Sequence, residues 1–294
     1  MKRGGPVRQV LVDALGHFNA DDGWAMASHV AISTLMAMFP FLIFVAAVAG
    51  MFDTQNLTSG VVALIFETWP EKVAGPIARE IRAVLNQPRG DLLTLGALFT
   101  LILASNGVEA LRTALNRAYR VSENRNVVLK RLQSVLFVIV GALGLLALAF
   151  LIILAPLIWA TVIKYIPALK PHAPAFNLIR FSVAGLVLVV ALFSAHVWLA
   201  NGRRRFRDTW PGIVATLLLW LIGAQVFATY LAGFADYVST YAGLASAMTA
   251  LIFLYLAAVV FILGAELNVA LIRLRRAREQ HVGEKDSKVS RDDS

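Results

Sequence analysis

Residues 245–278 read ASAMTALIFLYLAAVVFILGAELNVALIRLRRAR, and up to Ile272 this stretch carries a single charged residue, Glu266. A helix rises about 1.5 Å per residue, so roughly 20 apolar residues cross a hydrocarbon core of about 30 Å. The stretch is therefore long enough to span a bilayer. It ends on Arg273, Arg275, Arg276 and Arg278, the basic flank that marks a cytoplasmic helix end. Five further apolar runs lie upstream: Ala25–Met51, Leu92–Leu111, Leu132–Ile163, Phe176–Ala200 and Trp210–Leu231. The runs are continuous and lack the in/out alternation of barrel strands, so the backbone satisfies its own hydrogen bonds as helices. The expected fold class is all-α, a polytopic membrane protein with six transmembrane helices.

Composition agrees with that reading. Of 294 residues, 59% are hydrophobic and 15% charged, with a mean hydropathy of +0.71. Cysteine is absent, which excludes disulfides, thiolate catalysis and cysteine metal sites. The third run is overlong and should tilt or kink, with Pro156 as the expected place. Ala47-Val48-Ala49 resembles a signal-peptidase site, but the apolar stretch before it exceeds the usual h-region, so the first run reads as an uncleaved anchor.

Basic residues set the orientation. With the N-terminus inside, 20 of the 27 Lys and Arg fall on the cytoplasmic side and 7 on the other. Both termini are thus expected in the cytoplasm. The same asymmetry explains the net charge of +9 without nucleic acid. The expected partners are membrane lipids, with anionic headgroups on the cytoplasmic side, and no nucleic acid. Residues 1–24 read as a polar cytoplasmic segment and 25–272 as the membrane domain. Within it, 52–91 alternates apolar and charged positions around Trp69-Pro70, the pattern of short amphipathic helices on the periplasmic face. The tail 273–294 reads as basic, then polar and disordered.

Polar residues inside the spans are costly in lipid and carry the functional hypothesis. Ser105, Glu109, Arg112 and Asn116 follow one another at intervals of four, three and four, which places them on one helical face. Tyr255, Glu266 and Arg273 share a face of the last run. On the topology above, Glu109 and Glu266 lie at similar depth near cytoplasmic helix ends, together with His29, Asn106 and His196. That is one polar layer. It reads either as glue, with the acids paired to Arg112 or Arg273, or as a cavity open to the cytoplasm that accepts a headgroup or a proton. Ala242, Ser246 and Ala250 are small residues that permit close helix packing.

Catalytic signatures are missing from the sequence. The histidines at 17, 29, 172, 196 and 281 are dispersed, with no HExxH and no GxxxxGK[ST] loop. Ser28 and His29 are neighbours on a helix and point apart, which is no catalytic pair. No cofactor and no metal is expected, and no enzyme activity.

The chain resembles the YihY/BrkB family of bacterial inner-membrane proteins over roughly residues 22–272. Three stretches carry the resemblance: ASHVAISTLMAMFPFLI at 27–43 with Phe39-Pro40, SNGVEALRTALNRAY at 105–119 with Asn116 and Tyr119, and 241–270 with Gly264-Ala265-Glu266-Leu267-Asn268. Family members often show Tyr-Gly-Ser-Leu-Ala where this chain has Tyr241-Ala242-Gly243-Leu244-Ala245, and a Trp where it has Phe253-Leu254. The resemblance implies six spans and an envelope or serum-resistance association. It implies no common biochemical activity, although some members have carried the label ribonuclease. A metal-dependent phosphodiesterase needs carboxylates and histidines converging on metal ions in water, whereas the acids here are few and the histidines scattered. Three functions follow as candidates: a transporter or flippase of an amphipathic, lipid-like envelope molecule, a membrane scaffold for envelope assembly, and an intramembrane enzyme. The candidate binding set is His29, Ser105, Asn106, Glu109, Arg112, Asn116, His196, Tyr255, Glu266 and Asn268.

Overall fold

A computed structural model describes residues 6–49, 93–233 and 242–292, and among them every regular element is helical. In chain order these are α1 (Pro6–Ala20), α2 (Gly23–Ala49), α3 (Leu93–Ala118), α4 (Val127–Ala149), α5 (Ala155–Tyr165), α6 (Ala173–Ser194), α7 (Phe206–Gly233) and α8 (Ala242–Asp292). Five segments among the described residues are long and apolar enough to cross a membrane: Leu98–Ala118, Val127–Ile152, Pro167–Leu199, Phe206–Tyr230 and Met248–Ala277. α2 covers the first expected run as far as Ala49. The remainder of that run, and the amphipathic segment expected at 52–91, lie outside the described residues.

Two π-turns interrupt the helices. Phe150–Leu154 joins α4 to α5, and Ala195–Leu199 closes α6. The first sits immediately before Pro156, which occupies the opening turn of α5. Proline has no N–H to give the carbonyl four residues back, and the widened turn absorbs that missing bond. The irregularity expected at Pro156 therefore lies in the turn preceding it.

The chain forms two compact units, each assembled from separated pieces of sequence. One comprises Met36–Val108 and Val127–Ala191. Its core brings Leu101 and Ala104 of α3 against Val138 of α4, flanked by Phe41, Phe44, Val108, Val135 and Ile139. Trp159 and Phe176 stack with centroids 4.4 Å apart. Along α4, Leu132, Leu136, Val140 and Leu143 form a stripe that is more than half exposed. In water such a stripe drives association, whereas in a bilayer it meets acyl chains at no cost.

The other unit comprises Met1–Leu35, Glu109–Asn126 and Leu192–Ser294. Here α7 runs against α8, close enough that glycine is required at two facing positions. A Cβ on Gly212 would overlap the Gly264 carbonyl oxygen, and one on Gly264 would overlap Thr216 Oγ1. Backbone approach of this kind is how helices associate where lipid supplies no hydrophobic drive. Trp220 Nε1 donates to the Ala257 carbonyl at 3.0 Å across the same pair.

One expectation, the disordered tail, needs correction, and the N-terminal polar segment gains a structure. Residues 6–20 form a helix: Val10 and Ala14 pack on Ala270, with Leu267, Leu271 and Leu274 alongside. The spacing of four between these two small apolar residues makes a narrow stripe, enough to dock on a neighbour. The tail is also helical, because α8 continues to Asp292. Extending a helix that is already nucleated costs far less than starting one.

Candidate functional site

The site grows from the stretch where α3 ends, the chain turns through 119–126, and the π-turn Ala195–Leu199 with the connection after it, α7 and α8 present polar groups to it. Arg112 is 2% exposed and donates from Nη1 to Glu109 Oε2 at 2.7 Å, one turn earlier on α3. Asn116 is buried and works both ways: its Nδ2 donates to Glu123 Oε2 at 2.9 Å, and its Oδ1 accepts the Asn201 backbone N–H at 2.7 Å. Asn201 Nδ2 returns a bond to the Ser122 carbonyl at 2.6 Å. Arg125 donates to the carbonyls of Leu199 and Ala200 at 3.1 and 2.9 Å. These carbonyls have run out of helical partners at the end of the π-turn, and a guanidinium there also meets the negative end of the helix dipole.

Deeper in, Asn268, Tyr119 and His196 form a buried chain. Asn268 Oδ1 accepts the Gly212 N–H at 2.7 Å, and its Nδ2 donates to the Tyr119 oxygen at 3.2 Å. Tyr119 then lies 2.8 Å from His196 Nδ1. With the phenol oxygen accepting from Asn268, its proton goes to Nδ1, which assigns the histidine proton to Nε2. The Arg204 guanidinium stacks 3.7 Å above the Tyr119 ring and donates to the Asn201 carbonyl at 2.7 Å. That contact is a cation–π pair in a desolvated place, where such pairs are strongest.

A third group joins distant parts of the chain through one guanidinium. Arg120 Nη2 lies 3.0 Å from Glu266 Oε2 on α8 and 2.6 Å from Asp21 Oδ2 in the α1–α2 turn. Glu266 is only 1% exposed. Arg117 pairs with Asp22 in the same turn. Both Asp22 and Arg120 adopt the left-handed backbone conformation, with φ of 53° and 54°. This conformation is uncommon outside glycine, and each residue turns its chain sharply beside the ion pairs it helps to form.

The surroundings shift several ionisable groups. Burial pushes the Tyr119 phenol up to about 12, so it stays protonated as a donor. Glu123 is pulled below its ordinary value: burial works the other way, but the Asn116 amide, the Arg125 backbone N–H and the Arg125 charge outweigh it. Burial, then neighbouring Arg125, lowers Arg204. Among the buried polar atoms without a hydrogen-bond partner among the described residues are Glu266 Oε1, His196 Nε2 and Thr216 Oγ1. No three His, Asp or Glu among the described residues gather closely enough to hold a metal ion.

The candidate residues divide accordingly. Glu109, Arg112, Asn116, His196, Glu266 and Asn268 all lie in the unit built on α7 and α8 and carry the contacts above. His29 belongs to the same unit but is exposed on α2. Tyr255 is half-buried on α8 and, among the described residues, joins none of these contacts. Ser105 and Asn106 fall in the other unit. Ser105 is buried and donates to the Ile102 carbonyl one turn back, and Asn106 is exposed and accepts from Arg131 at 2.9 Å. The expected partner Arg273 does not reach Glu266. Seven residues along a helix is about 10 Å, and Arg273 instead meets His17 of α1 at 2.5 Å. Sequence reasoning missed Asp21, Arg120, Glu123, Arg125, Asn201 and Arg204. Each sits in a short polar connection next to an apolar run, where charge reads as a solvated flank.

Lipid-facing stripes, glycine-mediated helix approach and an internal ionic layer together define an integral α-helical membrane protein. Residues 14–289 match the family described as virulence factor BrkB, and the chain belongs to that family. It is 27% identical over 271 residues to the putative ribonuclease-like protein YfkH of Bacillus subtilis, covering 92% of this chain and 98% of the relative. It is likewise 27% identical over 274 residues to a UPF0761 membrane protein of Chromohalobacter salexigens, covering 91% of this chain and 64% of that one. A UPF0761 membrane protein of Rhodospirillum centenum is 26% identical over 281 residues, covering 93% and 60%. The chain thus spans nearly all of the Bacillus relative and about three fifths of the other two. No solved structure matches.

Proposed function

We propose that this chain is a multi-pass protein of the bacterial inner membrane that moves an amphipathic, lipid-like envelope molecule across the bilayer. In this reading α2 is the sixth span, residues 25–272 form the membrane domain, and 1–24 and 273–294 lie in the cytoplasm. The observation that supports it is the Arg120–Glu266 pair: a carboxylate 1% exposed within the span Met248–Ala277, with one oxygen unpartnered among the described residues. Ionisable groups at such depth are costly and by default belong to a pathway for ions or polar headgroups. A guanidinium shared between Glu266 and Asp21 is a cation that an anionic headgroup competes for, so the layer opens by exchange of partners, without exposing a bare charge. On this reading the chain acts as a carrier, and the ribonuclease-like name stays with YfkH.

The test is reconstitution. Proteoliposomes with a fluorescent phospholipid should show dithionite quenching of inner-leaflet label faster than empty vesicles. Equal rates across a panel of headgroups would refute the transport reading. A scaffold is the second reading, favoured by a specific observation: Arg112 bonds Glu109, Asn116 bonds Glu123 and Asn201, and Asn268 bonds Tyr119, so these side chains spend hydrogen bonds within the protein, as glue does.

A further inference from the structure

The stretch of α8 where its span Met248–Ala277 gives way to the tail is flanked on two sides by surfaces that mix exposed apolar and basic groups. On one side Arg273 ties α8 to His17 of α1, and on the other Arg275 Nη1 donates to Asp208 Oδ1 of α7 at 3.0 Å. α1 turns Val10 and Ala14 inward, yet Leu11, Val12 and Leu15 on its other face are 50%, 61% and 53% exposed. Arg8 lies exposed on the same helix. The next helix opens with Trp24, half-exposed, its ring edge-on to Phe18 and its Nε1 bonded to Asn19 Oδ1 at 2.8 Å. At the α7 entrance Phe206 and Trp210 are exposed with ring centroids 5.5 Å apart. Arg203, Arg205 and Arg207 surround them, exposed. None of these three, nor Arg8, has a carboxylate partner among the described residues, whereas Arg112, Arg117, Arg120, Arg125, Arg273 and Arg275 all do.

A water-facing end would not combine exposed leucines with bare guanidinium groups, and a purely lipid-facing one would not carry the charges. The combination fits the headgroup layer, where apolar bodies enter the acyl boundary and cations meet phosphate. We propose that this end of the unit is a binding surface for anionic phospholipid, with α1 lying in the interface and Arg203, Arg205 and Arg207 taking the phosphates. α1 docks on α8 through a narrow stripe and keeps its other apolar face for lipid. Trp24 anchors the junction where the interfacial helix turns into α2. The surface depends on membrane residence alone and not on transport.

The full chain in nanodiscs, probed with spin-labelled phosphatidylglycerol and phosphatidylcholine, tests this. Wild type should immobilise phosphatidylglycerol in preference. Each cation near an anionic leaflet contributes roughly a fivefold factor, so R203Q/R205Q/R207Q should lose most of that preference. The triple lysine variant should keep it, because the attraction is one of charge. All three side chains are exposed, so melting in neutral detergent should not change, which separates lost binding from lost folding. Equal association of both lipids with wild type, or undiminished preference in the glutamine variant, would overturn the proposal. Full displacement of phosphatidylglycerol by inorganic phosphate would reduce the surface to an anion site and also overturn it. So would tighter binding of single-stranded RNA than of phosphatidylglycerol.

Discussion

Replacing Arg120 by Gln removes the one cation that Glu266 and Asp21 share. Glu266 is 1% exposed, so its carboxylate would remain in a poorly solvating place without compensation. Breaking a buried pair from one side typically costs about 3–5 kcal/mol. Arg120 itself is 25% exposed, and water reaching it reduces the loss, so about 2–3 kcal/mol is the working figure. The partner change, Glu266→Gln, should cost less, because Arg120 keeps Asp21 at 2.6 Å. The double variant places two neutral amides face to face and should be more stable than Arg120→Gln alone. The assay is a double-mutant cycle from chemical unfolding or from melting in one detergent, with folded fraction followed by size exclusion. A coupling energy on the order of 1–3 kcal/mol is expected. Additive losses would mean that the two residues do not sense one another, and the ionic layer would lose its central contact.

Glu123 gives a pH signature. Its folded pKa lies below the ordinary 4.5, so its contribution to stability is present above that value and is lost as pH falls through the folded pKa. Glu123→Gln should therefore lower stability most at neutral pH and flatten the acid limb of the melting profile, the variant and wild type converging as pH falls through the folded pKa. Gly212→Ala and Gly264→Ala should each destabilise by roughly 1–3 kcal/mol, since each Cβ meets an atom of the facing helix, while Gly223→Ala, which meets nothing within 4 Å, should be neutral in the same melting assay. Reporter fusions after Arg120, Arg205 and Arg278 should read as cytoplasmic, and those near Asn86 or Pro171 as periplasmic. Reversal at any one of these would remove a span from the proposed topology.

Five of the six expected spans were legible because a hydrocarbon core imposes length and apolarity on each of them separately, as in 245–272, where the reading needs no knowledge of neighbours. The polar layer was legible only in part. Glu109, Arg112 and Asn116 share a face of one helix, which spacing reveals, and their burial or near-burial follows. Partners across the chain leave no such trace: Arg120 stands 146 residues from Glu266, and in sequence it reads as one more charge in a basic loop. Arg273 was the nearer arginine and the wrong one, because proximity along a helix is not reach. The helix at 6–20 was legible in principle: Val10, Leu11, Ala14, Leu15 and Phe18 recur at helical spacing, and Val10, Ala14 and Phe18 are buried, but the segment is too short and polar to span a bilayer, and a reading built on spans passed over it.

The most direct measurement compares Glu266→Gln with wild type in two experiments on the same preparation: melting temperature in detergent, and the rate of fluorescent phospholipid translocation in proteoliposomes at matched protein density. If the ionic layer is part of a headgroup pathway, the variant should melt near wild type, because Arg120 retains Asp21, and translocate far more slowly. A translocation rate that falls only in proportion to folded protein would contradict the pathway and leave the layer as helix packing in a membrane scaffold.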